Sequence, residues 1–245
     1  MVEPEPEPER GAGAVEPPWW RTPKGRSTKR QPLSRDAIVD AAVRILDAEG
    51  VAGLTLRRLG QELDTGAATL YWHISGKEEL GELVYDRIMG EVVLPPVDPE
   101  HWQDQLKDLG RQCYRVMLSH NDAVHLSLGR MGVGPNMLGV MEWLLALLRG
   151  AGIPDAMAAY FGDLLGRYLD ASVLEVRMAP VGEDPDDPGA WWAMVHRYFA
   201  ELPVDRYPNL VATNAVMFGS DGDERFELGL DLLVRGLEAY LEDET

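Results

Sequence analysis

The chain predicts an all-α fold: a small N-terminal three-helix domain carrying a helix-turn-helix, followed by a larger helical domain. Three observations carry this. Apolar residues recur at helical spacing from Ser34 onward. No segment shows a convincing two-residue alternation of the kind a half-buried strand shows. Residues 54–77, LTLRRLGQELDTGAATLYWHISGK, read as a helix, a tight turn and a second short helix.

Taken in order, residues 1–33 are rich in Pro, Glu, Gly, Arg and Lys. They carry too little apolar surface to order themselves and are expected to form a disordered arm. Residues 34–50 form a helix with Ser34 as N-cap and Gly50 as its stop; Ala37, Ile38, Ala41, Ala42, Ile45 and Leu46 make its buried stripe. In the helix-turn-helix, Thr55 caps the first helix and Leu56, Leu59 and Leu63 form its stripe. Asp64, Thr65 and Gly66 break the pattern. Ala67 to His73 then give a second helix of about two turns. Its first residues, Ala67, Ala68 and Thr69, are small, as a helix entering a DNA major groove N-terminus first requires. The next helix starts near Lys77, points Leu80, Leu83, Val84 and Ile88 inward, and runs toward Val93 before Pro95, Pro96 and Pro99 end it.

The helix-turn-helix DNA-binding domain is set at residues 34–80 and the helical ligand-binding and dimerisation domain at 81–245. Further helices are expected at about 100–119, 135–149, 154–178, 189–201 and 222–242, with a Pro/Gly/Asp loop over 180–189. The last helix places Phe226, Leu230, Leu233, Leu237 and Leu241 at helical spacing, and Leu228, Leu232 and Tyr240 widen the stripe. A helix apolar over so much of its circumference needs two partners, and a second subunit can supply one.

The net charge of −18 argues at first against nucleic acid, but its distribution reverses that reading. Residues 19–35 carry six basic side chains and no acid, directly before the first helix. Local patches, not net charge, decide where phosphate is contacted. Arg21, Lys24, Arg26, Lys29 and Arg30 therefore suggest an arm able to lie along DNA, as homeodomain arms do. A solvated tail is the plainer alternative. No apolar run is long enough for a membrane span, and MVEPEPEPER lacks the features of a signal peptide. The single cysteine, Cys113, excludes an intrachain disulfide, fits a cytoplasmic chain and reads as a buried packing residue.

At this point the residues resemble the tetracycline-repressor (TetR) family of one-component transcriptional regulators. AIVDAAVRILDAEG, LTLRRLGQEL and TLYWHISGKEEL, within residues 34–92, carry the resemblance. HWQDQL, LSHNDAVHLSLG and FELGLDLLVRGLE extend it more faintly, toward the tetracycline-repressor subfamily. The resemblance implies an all-helical homodimer joined through a four-helix bundle, with a ligand pocket in its core. It implies DNA contacts at Thr55, Arg57, Ala67, Ala68, Thr69, Tyr71, Trp72, His73 and Lys77. Arg57 matches a base-contacting position and Thr69 a recognition-helix contact; Tyr71 and Lys77 match phosphate contacts. The chemistry agrees: a guanidinium can pair with the two acceptors of guanine, and a Tyr hydroxyl or a helix-opening Lys can bond a phosphate oxygen.

Ala67 and Ala68 stand where the tetracycline repressor has a Gln-Pro pair. Methyl groups can touch a thymine methyl but read no base by hydrogen bonding, so the operator must differ. Ser127, Val93 and Leu109 stand where that repressor has its metal-binding His and drug-contacting His and Asn, while Glu175 is retained. A lone Glu is a poor magnesium site, so neither a metal nor a cofactor is expected. The implied pocket is apolar and aromatic, lined by Tyr114, Met117, His125, Trp143, Phe161, Leu164, Tyr168 and Glu175. Ordinary core packing is the competing reading of the same aromatic and Met set.

No enzyme signature appears. The glycines at 129–134 lack a Lys-Ser/Thr ending, there is no G-x-S-x-G elbow, and the histidines show no metal spacing. The expected function is a ligand-responsive regulator, most simply a repressor released from a palindromic operator by a small apolar or aromatic effector. The alternatives are a regulator of the same fold without a small ligand, and a helical enzyme that retains the fold.

Overall fold

The computed structural model describes residues 17, 19–20, 33–177, 188–219 and 222–242. Among them there is no strand. The helices are α1 (Arg35–Gly53), α2 (Leu56–Glu62), α3 (Ala67–Leu70), α4 (Lys77–Met89), α5 (Trp102–Ser119), α6 (Val124–Ser127), α7 (Pro135–Gly150), α8 (Asp155–Arg177), α9 (Pro188–Ala200), α10 (Pro208–Gly219) and α11 (Gly222–Glu242). A 3-10 turn, Pro99–His101, precedes α5. The chain divides into two compact units, Met1–Val97 with Arg115–Ala146 and Asp98–Tyr114 with Leu147–Thr245. The sequence boundary at 80/81 therefore falls inside α4, and this helix belongs wholly to the first unit. The reason is its apolar face: Leu80, Leu83, Val84 and Ile88 are all buried, so α4 completes the small domain instead of leaving it.

In the first unit, Ser34 Oγ accepts the Ala37 N–H at 3.1 Å and starts α1. Ile38, Ala41, Ala42, Ile45 and Leu46 are buried along its inner face. The helical path breaks at Gly50, where φ is +69°. Any side chain there meets the Asp122 carboxylate, which accepts the Val51 N–H at 3.0 Å. Glycine is required at this bend both for its backbone angle and for this contact. The α4 N-terminus is fixed by Glu79. Its carboxylate accepts the Ser75 N–H and hydroxyl, both at 2.6 Å, and holds Arg35 at 2.7 Å. This ties the first residue of α1 to the first turn of α4.

Part of the segment expected to be an unordered arm packs on that junction. Trp20 is buried, with the Arg35 guanidinium 4.9 Å from its ring centre. The indole N–H groups of Trp20 and Trp19 both donate to Glu82 Oε2, at 2.9 and 3.1 Å. Two tryptophans bring enough apolar area to order a short stretch even inside a Pro/Glu-rich context. The basic residues 21–30 lie outside the described residues.

In the second unit, α11 packs on α8 and on the N-terminal half of α5. The stripe Phe226, Leu230, Val234 and Leu237 is buried, while Leu233 and Leu241 are half-buried. Phe226 stacks on Tyr114 with ring centres 4.0 Å apart and lies 5.8 Å from Tyr168. Arg111 clamps Glu227 with two bonds of 2.8 Å, and Lys107 holds Asp231 at 2.5 Å. α9 pairs with α10, where Phe218 meets Phe199 edge-on at 5.1 Å. The helices α6 and α10 were not anticipated. α6 is a single turn, and α10 lacks a periodic stripe: of its residues only Asn214 is buried. The 180–189 loop lies outside the described residues except Pro188 and Gly189, which open α9.

The Trp20 anchor gives a prediction. Trp20→Ala should lower the unfolding free energy by about 3 kcal/mol, from lost burial and a residual cavity. Thermal denaturation of the full chain measures this, and a change within about 0.5 kcal/mol, the range of neutral surface substitutions, would show that the tryptophan is not part of the packed domain.

Candidate nucleic-acid interface and effector region

The helix-turn-helix is held by short-range backbone geometry. Thr55 Oγ1 accepts the Arg58 N–H at 3.1 Å, capping α2. The turn closes through Thr65 N–H to Gly60 O at 2.8 Å. A Cβ at Gly60 would sit 2.8 Å from the Thr65 carbonyl oxygen, so only glycine allows α3 to lie this close to α2. Asp64 supplies the left-handed residue of the turn, with φ +47°. Leu59, Leu70 and Ile74 are fully buried and seat both helices on the domain. The regular α3 is shorter than the sequence suggests. It covers Ala67–Leu70, and turn hydrogen bonds continue the path to Ile74.

This frame exposes Arg57, Ala68, Thr69, Tyr71, Trp72 and Lys77, while Thr55, Ala67 and His73 are half-buried. His73 Nδ1 is buried without a hydrogen-bond partner among the described residues. The nearby acids are neutralised locally. Arg58 holds Glu49 at 2.7 Å and Glu62 at 3.0 Å, and Arg130 pairs with Glu78. The Arg57 side chain forms no ion pair or hydrogen bond with the described residues, which leaves it available to a base or phosphate. Lys77 opens α4, where the backbone N–H groups also favour an anion.

The residues expected to line an effector pocket fall in both units. In the first, Met117 and Trp143 are buried and Trp143 donates its indole N–H to Pro95 O at 2.6 Å, while His125 sits 3.6 Å from Asp122 at the surface. In the second, Tyr114 and Phe161 are buried, and Tyr168 donates to Phe226 O at 2.8 Å. Burial, the first cause, and Asp223 push the Tyr114 hydroxyl up to about 12. Leu164 is half exposed. Glu175 borders a cavity of about 460 Å³ lined also by Val176, Trp192, Ala193, His196, Phe218, Gly222 and Arg225. Of those, the sequence analysis named only Glu175. His196 and Phe218 sit on the face between α9 and α10, and α10 carried no sequence signal.

Magnesium and the drug that carries it do not fit the corresponding positions of the tetracycline repressor. At the metal positions Ser127 Oγ donates to Val124 O at 2.9 Å and Glu175 holds Arg225 at 2.9 Å, and at a drug-contacting position Leu109 is aliphatic and buried. A hard cation wants several oxygen ligands. Among the described residues no group of three His, Cys, Asp or Glu side chains is placed to hold a metal. Cys113 is buried and its thiol is pushed up to about 12 by that burial, so it is a packing residue.

The resemblance assigns two kinds of DNA contact to these exposed positions. Tyr71→Phe and Lys77→Ala should weaken binding to all duplexes about equally and lower the salt slope by roughly one unit per lost phosphate contact. Arg57→Ala should instead relax preference at one base pair, by about 1–3 kcal/mol. Gel-shift titrations over salt and operator variants distinguish the two. An unchanged salt slope for Lys77→Ala removes it from the interface.

Comparison with known proteins agrees with this geometry. Residues 38–84 match the family of bacterial regulatory proteins of the tetR type, and residues 94–241 match the tetracyclin repressor-like C-terminal domain. An HTH-type transcriptional regulator of Saccharopolyspora erythraea is 34% identical over 94% of each chain. The HTH-type transcriptional repressor DrrR1 of Streptomyces coeruleorubidus is 31% identical over 91% of this chain and 84% of its own. The crystal structure of apo ActR from Streptomyces coelicolor superposes with a TM-score of 0.81 at 38% identity, covering 89% of this chain and 100% of that one. ActR has also been solved with actinorhodin, where the TM-score is 0.79 at 40% identity, over 86% and 97% of the two chains. The chain belongs to the TetR family of DNA-binding transcriptional regulators.

Proposed function

We propose that this regulator is a cytoplasmic homodimeric repressor, not an enzyme, and that a small, flat organic effector releases it from a palindromic operator. The observation that carries the reading is the exposed set Arg57, Thr69, Tyr71 and Lys77 on a turn closed by Gly60. One chain presents one such element, and two-fold symmetry then sets half-sites about one helical turn apart or slightly more. The relatives named a repressor and solved with an organic ligand support the direction of control. No helix among the described residues is long and apolar enough to cross a membrane.

The dimer reading rests on α8 and α11. Tyr160 and Leu164 on α8, and Leu228, Leu232 and Tyr240 on α11, are 47–70% exposed in the single chain. These side chains lie on two helices that pack together, the arrangement that half of a four-helix bundle requires. The effector reading rests on the 460 Å³ cavity. Trp192, His196 and Phe218 offer ring faces, and the Glu175–Arg225 pair offers one polar anchor, the usual composition of a small-molecule site. The basic residues of the arm, 21–30, follow Trp20 directly in the sequence. Glu82, which holds Trp20, lies five residues along α4 from Lys77, about 7.5 Å of helix axis. We read the arm as an added phosphate contact on that side.

Leu232→Arg should leave the helical spectrum of the chain intact, because the side chain is exposed in the protomer, yet give monomers in sedimentation and abolish tight operator binding. Burying an unpaired charge twice in a symmetric interface costs several kcal/mol, on the order of 3–5 per site. A normal dimer would move the interface off α11.

Phe218→Ala should weaken effector-induced release at least tenfold while leaving ligand-free operator affinity within about twofold, roughly 1.4 against 0.4 kcal/mol. A compound screen for release from DNA, repeated on the variant, measures both. Equal release of both proteins by an active compound would place its site elsewhere.

A further inference from the structure

A second, smaller cavity of about 270 Å³ lies entirely in the first unit, and none of its lining residues borders the effector cavity. One wall is a single face of α4: Glu82 and Asp86, one helical turn apart, with Tyr85 between them. The rest of the lining, from residues 126–137, is mostly apolar, with Leu126, Met131, Val133 and Met137 beside Ser127 and Arg130.

The two carboxylates are held in an unusual way. Asp86 is 5% exposed. Its oxygens accept the Asn136 amide at 3.1 Å and the Met137 N–H at 3.0 Å, so it caps the start of α7 from a different helix. Gly134, just before α7, carries no side chain because a Cβ there would collide with the Asp86 carboxylate. Glu82 accepts two indole N–H groups. Every one of these donors is neutral, and among the described residues no cation pairs with either carboxylate. The nearest lining cation, Arg130, is engaged by Glu78. A buried carboxylate satisfied by neutral donors keeps most of its desolvation cost. Consistent with that, burial, opposed by the Met137 and Asn136 hydrogen bonds, pushes the Asp86 carboxyl above its ordinary range.

We propose that this cleft between α4 and the 126–137 segment binds a small organic cation, an ammonium group carrying an apolar or aromatic body. The ammonium sits between Glu82 and Asp86 and supplies the positive charge that the protein withholds. The body lies against Met131, Val133 and Met137, whose flexible thioethers adapt to it. Two carboxylates on one wall exclude anions. The volume is slightly below the roughly 300–1,000 Å³ of sites for drug-sized ligands, which sets the occupant at one ring with a short chain.

The test is calorimetric titration of the full chain, without DNA, so its outcome is independent of the operator and effector readings above. The probes are benzylammonium, its neutral isostere benzyl alcohol, and benzoate. Benzylammonium should bind with one site per chain and raise the melting temperature. Benzyl alcohol should bind at least tenfold more weakly, and benzoate not at all. Val133→Trp fills the cleft without touching either carboxylate and should abolish binding in a chain with normal helix content. Asp86→Asn should reduce the preference for the ammonium over the alcohol; if this variant fails to fold, Val133→Trp still decides the matter. The proposal is overturned if benzylammonium does not bind, if the alcohol binds as well as the ammonium, or if Val133→Trp binds like the parent chain.

Discussion

The Glu79 carboxylate is the point on which the DNA-binding unit depends. It is 4% exposed and reaches three groups at once: Arg35 at the start of α1, and the backbone and hydroxyl of Ser75 in the turn that leads from α3 to α4. A carboxylate so far from water is tolerable only when fully bonded, and removing one partner of such a pair costs on the order of 3–5 kcal/mol. The geometry it fixes is functional. Ser75 lies between the exposed Tyr71 and Lys77, so holding Ser75 sets the spacing between the end of the recognition element and the start of α4. Trp20 adds a cation–π contact to the same Arg35, its ring centre 4.9 Å from the guanidinium. The stretch that reads as an arm in sequence thus helps close the electrostatic core of the domain.

The same unit contains further polar connections to α1 and α4. His120, 8% exposed, lies 3.0 Å from Asp47 on α1 and 3.3 Å from Glu91 just beyond α4. Asp122 holds the Val51 N–H behind the Gly50 bend. Asp86 of α4 caps α7. Each is a short polar bond between the DNA-binding helices and the 120–137 segment. Such bonds have a narrow range of good geometry, so a shift of that segment changes their energy abruptly. An effector acts on DNA affinity only to the extent that its binding free energy differs between the two arrangements of these contacts. On the proposed function, these contacts make the 120–137 segment the part of the first unit whose movement would be felt at α1 and α4.

The parts visible in the sequence were those governed by local rules. The caps Ser34 and Thr55, the break at Gly50, the turn at Asp64–Gly66 and the stripes of α4 and α11 follow from periodicity and turn chemistry, and the structure contains them. The spans of α5, α7, α8, α9 and α11 agree with expectation to within a few residues. What the sequence hid depends on contacts between distant positions. Trp20 has no periodic context, and its order comes from Arg35 and Glu82. Asp86 looks like one more charge on an acidic helix, and only the approach of Asn136 and Met137 makes it a buried cap. α10 is almost uniformly apolar yet mostly exposed, so it shows no face until α9 is placed beside it. Two residues of the expected pocket lining, Tyr114 and Tyr168, stack on Phe226, a contact between positions more than fifty residues apart that periodicity does not reveal.

The central claim is that two copies of the Thr55–Lys77 element read one symmetric DNA site. Selection of bound duplexes from a random pool tests it most directly, because it assumes neither operator nor effector. The expected result is enrichment of a palindrome whose half-sites repeat about every ten base pairs or slightly more, centre to centre. Recovery of unsymmetrical sequences, or no enrichment at all over the starting pool, would contradict it.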